Sequence, residues 1–477
     1  MGTPAPVLVT GRGMTEVQEG PMTARVTGPD ETFMTVEAVA GVETPIQMGW
    51  VFAHDPGEAA VDVVHARLAA GPVNRAVRRT RVPFARHRWV PCDHVDVARH
   101  DREPVAAGAV SQWFTDHLES TPVRPTAGRS WHVASAPTTD GGRVVSVLAS
   151  HVVCDGSGLR AAVLGTTPAA AADPPTTRVV DELLDDLRDA VAQVRSALRS
   201  ILVMLRLTVA GGRRDRSDAD NGAPAVVDVG PTHRRTVPTP VAANGVPEEP
   251  PVRHVLVTLD SAQVAARAAD RGGTPNSLFC ALLGGVAQRA HIPESDTTAI
   301  CIAVDRREGD HDGRANASGG VWIRVRGALD GPVDLSGIRA RTKSALTTYS
   351  AHGADASADN VQPIVRLLPA RLVLLLMRLI PSPHTTVSNL GDVGEDLLRM
   401  GEQRAHVQFT RAAVRGLGAD ARRRLCRPGL LAWLTVHGEH ATLAVCGVDP
   451  DRFGGDGVLR SLVVDELDAW GLSHAVV

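Results

Sequence analysis

Residues 143–156, RVVSVLASHVVCDG, decide how the rest of the chain is read. Arg143 to Ser150 is short and rich in β-branched residues, with Gly-Gly before it and an Asp-Gly turn after it, which predicts a strand ending in a turn. That turn carries His151, Asp155 and Gly156 in an HxxxDG spacing and runs into the helix-like SGLRAAVL. At a strand end an imidazole projects into a cleft while the turn fixes it, and a glycine lets a ligand approach the backbone. Neutral imidazole in that position takes a proton from a hydroxyl or amine as the group attacks an acyl carbonyl. Thioesters suit this chemistry, because a thiolate leaves readily and no protein nucleophile is required. Asp155, across the turn, either holds the imidazole or pairs with an arginine that braces the loop. The competing reading is that His151 and Asp155 merely decorate a strand-to-helix turn.

Other chemistries have poorer support. There is no G-x-S-x-G elbow, so Ser157 reads as a helix N-cap, and Cys154, inside the motif, reads as packing that points away from the His151 face. No Walker loop or GxGxxG follows a strand, which leaves nucleotide hydrolysis and dinucleotide redox without a motif. His87, His94 and His100, with Asp93, Asp96 and Asp101, match no familiar ligand spacing, and no metal is expected. The six cysteines form no CxxC pair, so neither a zinc site nor a compact disulfide framework is indicated, and a reducing cytoplasm fits best.

Composition narrows the class further. Of 477 residues 43% are hydrophobic and 22% charged, enough apolar material for packed interiors and more than one core is expected to hold. Lys and Arg total 50 against 53 Asp and Glu, so no whole-protein positive field draws the chain to nucleic acid. Aromatics make up only 3%, which argues against stacking platforms for single strands. Lys343 is the sole lysine, leaving Schiff-base chemistry a single amine to use.

Working outward, residues 1–32 read as a flexible tail without a signal-peptide core. Residues 33–210 form a first half with a helix over Glu58–Leu68 and a long one over Asp181–Leu207. In the long helix Leu184, Leu187, Val191, Val194, Leu198, Ile201 and Leu205 fall on one face, and burial of that face against protein is expected. Residues 211–251 carry GGRRDRSDAD and several prolines with almost no periodicity, a linker or disordered crossover. Residues 252–477 form a second half. Its strands are expected at His254–Leu259, Ala299–Asp305 and Val321–Arg326, its helices at Asn276–His291 and Gly457–Trp470, and a hairpin at Leu430–His437 and Ala441–Gly447. The apolar ARLVLLLMRLI ending at Ile380 would extend about 16 Å as a helix, too short for a bilayer core of about 30 Å. Arg371 and Arg378 share a face, which leaves a buried helix with a charged edge or a helix lying on a lipid surface, and burial is favoured.

On these motifs the chain resembles the CoA-dependent acyltransferase superfamily: condensation domains, wax ester synthase/diacylglycerol acyltransferases and polyketide-associated acyltransferases. Besides SHVVCDG, the stretch GPVNRAVRRTRVPFARHRWV resembles the segment that precedes the catalytic motif in the wax ester synthase branch. TPNSLFCALLGGVAQRA resembles that branch's Asn-Asp helix start, with Asn276 matching and Ser277 replacing the Asp. AVDRREGDHDGRANASGGVWIRV and VSNLGDV resemble the arginine and SNxxG regions of the second half. Two departures stand out. Ser150 replaces the first His of the fuller HHxxxDG motif, and after SNLG the sequence reads DVG where wax ester synthases tend to have Pro-Gly-Pro.

The resemblance implies an α/β fold of two chloramphenicol-acetyltransferase-like domains, each a mixed β-sheet flanked by helices, with an active-site tunnel at their interface. It implies His151 as the catalytic base and Asp155 as chiefly structural, salt-bridged to Arg307. Gly156, Asn276, Ser388 and Asn389 are the expected substrate contacts, although Asn276 and Asn389 read equally well as helix-cap and turn residues. The implied activity moves an acyl group from acyl-CoA or an acyl carrier protein to a small alcohol or amine, directly and without a resident cofactor. The alternatives are a free-standing condensation enzyme joining carrier-bound units and a catalytically silent scaffold. A cytoplasmic protein is expected, with peripheral contact to a lipid surface left open.

Overall fold

The computed structural model describes residues 25–92, 95–166, 179–211, 226–229, 251–293, 295–307, 314, 316–351, 364, 365, 367–369, 372, 373, 375, 382–425 and 429–477. In chain order the strands are β1 (Pro45–Phe52), β2 (Arg75–Arg78), β3 (Arg88–Pro91), β4 (Arg99–His100), β5 (Trp131–Pro137), β6 (Arg143–Ser150), β7 (Val226–Asp228) and β8 (Arg253–Asp260). They continue with β9 (Thr297–Asp305), β10 (Ser318–Arg326), β11 (Thr385–Asp392), β12 (Arg399–Met400), β13 (Gln403–Ala412), β14 (Leu430–His437), β15 (His440–Gly447) and β16 (His474–Val476). The main helices are α1 (Gly28–Ala40), α2 (Glu58–Ala70), α3 (Val110–Ser120), α4 (Gly156–Leu164), α5 (Val179–Gly211), α6 (Ser261–Asp270), α7 (Pro275–Arg289), α8 (Ser336–Ala351) and α9 (Val458–Ala469).

Two mixed sheets organise the chain into two lobes. The first runs β12-β13-β1-β6-β5-β4 and the second β16-β8-β15-β14-β11-β9-β10-β7. β1 and β6 are buried at every position, because both faces of their sheet are covered. Alternation along β6 splits its side chains cleanly: Val145, Val147 and Ala149 pack with Val61, Val64 and Leu68 of α2, while Val144 turns to the opposite face with Phe114 of α3. Gly49 of β1 is required there, since a Cβ would stand 2.3 Å from the Phe409 ring. The freed space lets Phe114 and Phe409 meet edge to face at 4.8 Å, worth about 0.5–1.5 kcal/mol beyond their buried area.

In the second lobe Val255, Val257 and Leu259 of β8 face a core shared with α6, α7 and α9, whereas Leu256 points the other way. Leu256 joins Ala444 of β15 and Val51, Val144 and Phe409 of the first sheet in one cluster, so the lobes share apolar packing.

Several expectations are corrected. Although it lies far along the second half, β13 leaves that half and pairs antiparallel with β1 from Ile46↔Ala412 to Phe52↔Ala405, an exchange that division by chain order does not anticipate. The segment before it is tied down where Trp50 Nε1 donates to the Leu397 carbonyl at 2.7 Å. The flexible tail expected to reach residue 32 is built in from Arg25 onward, with Val26 and Asp30 buried, because Arg25 pairs with Asp185 and Asp186. Val226–Asp228, inside the expected linker, forms an edge strand parallel to β10. Residues 1–24, most of 211–251 and most of the ARLVLLLMRLI stretch, with Arg371 and Arg378, lie outside the described residues.

The largest reversal concerns α5. Its apolar face is exposed, with Leu187 at 53% and Leu198 at 56%, and it docks through its acidic side instead. Arg88 meets Asp186 at 2.7 Å and Arg86 meets Asp189 at 2.9 Å, while the small residues Ala190 and Ala197 let the helix sit close. Three arginines on one surface outweighed the heptad pattern.

Candidate active site

β6 delivers the motif to the seam between the lobes. After Ser150 the chain turns: His151 N donates to the Thr44 carbonyl at 2.9 Å and Val153 N to the Ser150 carbonyl at 3.0 Å. Arg75 braces the turn from below, donating to the Val153 carbonyl at 2.9 Å with its guanidinium 3.9 Å from the centre of the Trp89 ring. Asp155 then ends the turn as the N-cap of α4, accepting from Gly158 N at 2.9 Å, so it takes the capping role expected of Ser157.

The His151 ring is half-buried and gripped on two sides. Phe33 of α1 stacks on it, centroids 4.0 Å apart and planes within 17°. Nδ1 lies 2.9 Å from Asn316 Oδ1. The Asn316 amide can be oriented only one way, since its Nδ2 donates to the His151 carbonyl at 2.7 Å and to Asp30 Oδ1 at 2.9 Å. Its Oδ1 therefore faces the ring, Nδ1 carries the proton, and Nε2 keeps a free lone pair. Nε2 has no hydrogen-bond partner among the described residues. Burial pushes the His151 pKa below the ordinary imidazole value, against the opposing pull of the Asp155 charge. The ring is thus neutral near pH 7, in the tautomer a base at Nε2 needs.

Asp155 faces away from this network. Arg307, just beyond β9, holds it with two parallel bonds at 2.8 and 3.0 Å, and Ala317 N and Ser318 Oγ of the second lobe add bonds at 2.9 and 3.1 Å. Burial works to raise the Asp155 pKa, but the Arg307 pair and these donors outweigh it and hold the carboxyl below its usual range. The connection between β9 and β10 thereby carries Arg307 and Asn316 to one motif of the other lobe. Asp30 is buried as well, and desolvation raises its pKa against the donors of Thr27 and Asn316 and the charge of Arg75. Cys154 is buried in the first-lobe core with its thiol pKa pushed up, a packing residue.

Of the remaining expected residues, Gly156 opens α4 beside Leu390 of β11, whose Cδ2 would lie 3.7 Å from an added Cβ. Ser388 and Asn389 stand on the same strand, half-buried and exposed. Asn389 Nδ2 lies 3.4 Å from Asn276 Oδ1, and Asn389 Oδ1 accepts from Gly391 N at 3.0 Å. Asn276 is not a helix cap: Thr274 caps α7 in a reciprocal box with Ser277. The structure therefore gathers His151 and Asp155 with Arg307 at the seam, and pairs Asn276 with Asn389. Sequence reasoning missed Asn316, Asp30 and Phe33. Asn316 sits in the quoted AVDRREGDHDGRANASGGVWIRV stretch, whereas Asp30 and Phe33 carried no signal.

Of the His and Asp group from which no metal was expected, Asp93 and His94 lie outside the described residues, and His100 bonds Ser135 Oγ at 2.8 Å and Asp62 at 3.1 Å. Among the described residues no three His, Cys, Asp or Glu side chains gather in a metal-holding group.

No family model matches this sequence, and no curated protein does. Solved structures match it in fold. The first condensation domain of the CDA synthetase superposes with a TM-score of 0.55 at 12% identity, over 96% of this chain and 100% of that one. The condensation domain of the Monacolin K polyketide synthase MokA gives 0.53 at 13%, over 94% and 96%. The wax ester synthase/diacylglycerol acyltransferase from Marinobacter aquaeolei VT8 gives 0.53 at 12%, over 94% and 100%. At such identities the likeness is one of fold, and it matches the expected architecture of two mixed sheets in two lobes. These structures belong to the superfamily whose motifs the sequence resembles.

Proposed function

We infer that this chain is an acyltransferase that moves an acyl group from a thioester donor to a hydroxyl or amine acceptor, with His151 as general base. One observation carries the reading: Asn316 fixes the protonated Nδ1, so the open Nε2 of a neutral, half-buried ring is the atom left to meet a substrate. Nε2 takes the acceptor's proton as its oxygen or nitrogen attacks the thioester carbonyl. The carbon–sulfur bond then breaks, the thiolate leaves, and the imidazolium returns the proton to sulfur. Atoms balance as one thioester and one alcohol or amine giving one ester or amide and one thiol. No covalent intermediate on the protein is needed, and holding both substrates at the seam supplies much of the acceleration.

Asp155 braces the turn in this reading, through Arg307 and the α4 cap. Gly156, Ser388, Asn389 and Asn276 are the substrate contacts in this reading. The fold neighbours support both donor classes, since they include condensation domains as well as an ester synthase.

The test is thiol release from acyl-CoAs and from acyl carrier thioesters, with and without acceptor, by wild type and His151→Ala. Acceptor-dependent release that falls about 10²–10⁴-fold in the variant supports the base. Release from carriers alone assigns the chain to condensation of carrier-bound units. No release from either donor makes it a silent scaffold.

A further inference from the structure

With its acidic side buried against Arg25, Arg86 and Arg88, α5 presents to solvent the apolar face its sequence was expected to hide. Leu184, Leu187, Val191 and Leu198 are 47, 53, 52 and 56% exposed, and their spacing of three, four and seven residues makes one continuous stripe. A stripe this long on one helix is more than scattered surface leucines. Both of its edges carry arginine.

Along one edge Arg188, Arg195 and Arg199 follow each other at steps of seven and four, all exposed, and among the described residues none of the three forms an ion pair. The sole acid between residues 187 and 202, Asp189, lies on the buried side. Along the other edge, at the start of the helix, an open cleft of about 170 Å³ separates α5 from the end of β2. Its charged lining is Arg78, Arg79, Arg81 and Arg88 against Glu182 and Asp186, and Arg88 is paired with Asp186. Arg78 is paired with Glu182, while Arg79 and Arg81 are exposed.

We propose that the outer face of α5, with the arginine cleft at its N-terminal end, docks onto an anionic lipid surface. The leucines enter the acyl boundary and the arginines on either side meet lipid phosphates, the arrangement of an amphipathic helix lying in the interface plane. At 33 residues the helix extends about 50 Å and would lie flat. Among the described residues no helix is long and apolar enough to cross a bilayer. Charge selects this occupant. A second copy would set one arginine-edged stripe against another, like charge beside like charge, whereas a phosphate-bearing surface complements both edges.

The experiment floats the full chain with vesicles of phosphatidylcholine alone and of phosphatidylcholine with phosphatidylglycerol. Wild type is expected to float with the phosphatidylglycerol vesicles and to come off as salt rises. Leu187→Glu with Leu198→Glu lowers the bound fraction at least about tenfold. Arg188→Gln, Arg195→Gln and Arg199→Gln together lower it about tenfold to a hundredfold on phosphatidylglycerol vesicles only. All five side chains are exposed, so an unchanged melting temperature checks that each variant folds. Wild type that ignores both vesicles, a leucine variant that binds like wild type, or equal binding to both vesicle kinds overturns the proposal. So does a wild-type dimer in light scattering that the leucine variant converts to monomer.

Discussion

Asn316 bonds both ends of His151, accepting from Nδ1 at 2.9 Å and donating to the backbone carbonyl at 2.7 Å, so one amide from the second lobe fixes the position and the tautomer of a ring in the first. Its remaining amide hydrogen goes to Asp30 at 2.9 Å, which prevents the amide from flipping. With His151 as the proposed base, Asn316 is a positioning residue whose removal is read at His151.

Asn316→Leu leaves the ring free to rotate and takes from Asp30 Oδ1 its Asn316 donor, and kcat is expected to fall about tenfold to a hundredfold, part of what a general base contributes. Asn316→Asp discriminates this role from a merely structural one. The new carboxylate keeps an acceptor on Nδ1 but adds negative charge beside the imidazole, so the half-point of the kcat/KM profile moves to higher pH. An unchanged half-point in Asn316→Asp would show that the amide does not act through His151.

The pH dependence of activity follows from the same ring, acting as the proposed base. Burial lowers the His151 pKa, and the working form is the neutral one, so kcat/KM is expected to be flat near neutrality and to fall only below the ordinary imidazole value of about 6.5. Stability runs in the same direction. The unfolded chain takes up this proton first, so the contribution of His151 is intact above about pH 6.5 and declines as pH drops below it. Comparing the pH dependence of melting for wild type and His151→Asn isolates that contribution, and a profile that instead rises toward acid would contradict the burial of a neutral ring.

Asp155 is buried and pairs across the lobes with the half-buried Arg307, which also meets Asp305 at 3.2 Å. Removing Arg307 therefore strands a buried carboxylate, while removing Asp155 leaves Arg307 a second partner. Asp155→Ala removes the Arg307 pair together with the α4 cap and the bonds from Ala317 and Ser318, and is expected to cost about 3–5 kcal/mol in denaturant unfolding. Because Arg307→Leu removes the same pair, the double variant should lose clearly less than the two single losses added. The Asp155 pKa is depressed, so its stabilisation is complete above the unfolded carboxylate value and is lost as pH falls through the lower folded one. Additive losses in the double variant would mean that the pair is not a unit.

Much of this was legible in the sequence, and the reason is local. β6 and the turn after it combine a β-branched run, flanking glycines and a capping aspartate, signals that act within a few residues. The hairpin of β14 and β15 and the helix α7 were legible on the same grounds. What failed depends on distant partners. The apolar face of α5 reads as a core face by periodicity, yet the acids on its other side find Arg25, Arg86 and Arg88 more than 90 residues away. Asn316 and Phe33 reach His151 from 165 residues downstream and from 118 residues upstream, so no spacing rule connects them. β13 joins the first sheet for the same kind of reason: its partner β1 lies far back in the chain.

Gly156 separates packing from substrate contact. It is the first residue of α4, and a Cβ placed there would lie 3.7 Å from Leu390 Cδ2 and 4.0 Å from Thr410 Cγ2, ordinary contacts that require no movement. Alanine also loses less backbone entropy in a helix than glycine does. Gly156→Ala is therefore expected to keep or slightly raise the melting temperature. If substrate passes the backbone at this position on its way to Nε2, the added methyl obstructs it, and kcat/KM falls at least about tenfold while the pH half-point set by His151 stays where it was. A variant that is as stable and as active as wild type would remove Gly156 from the substrate path and leave it the bland role of a helix start.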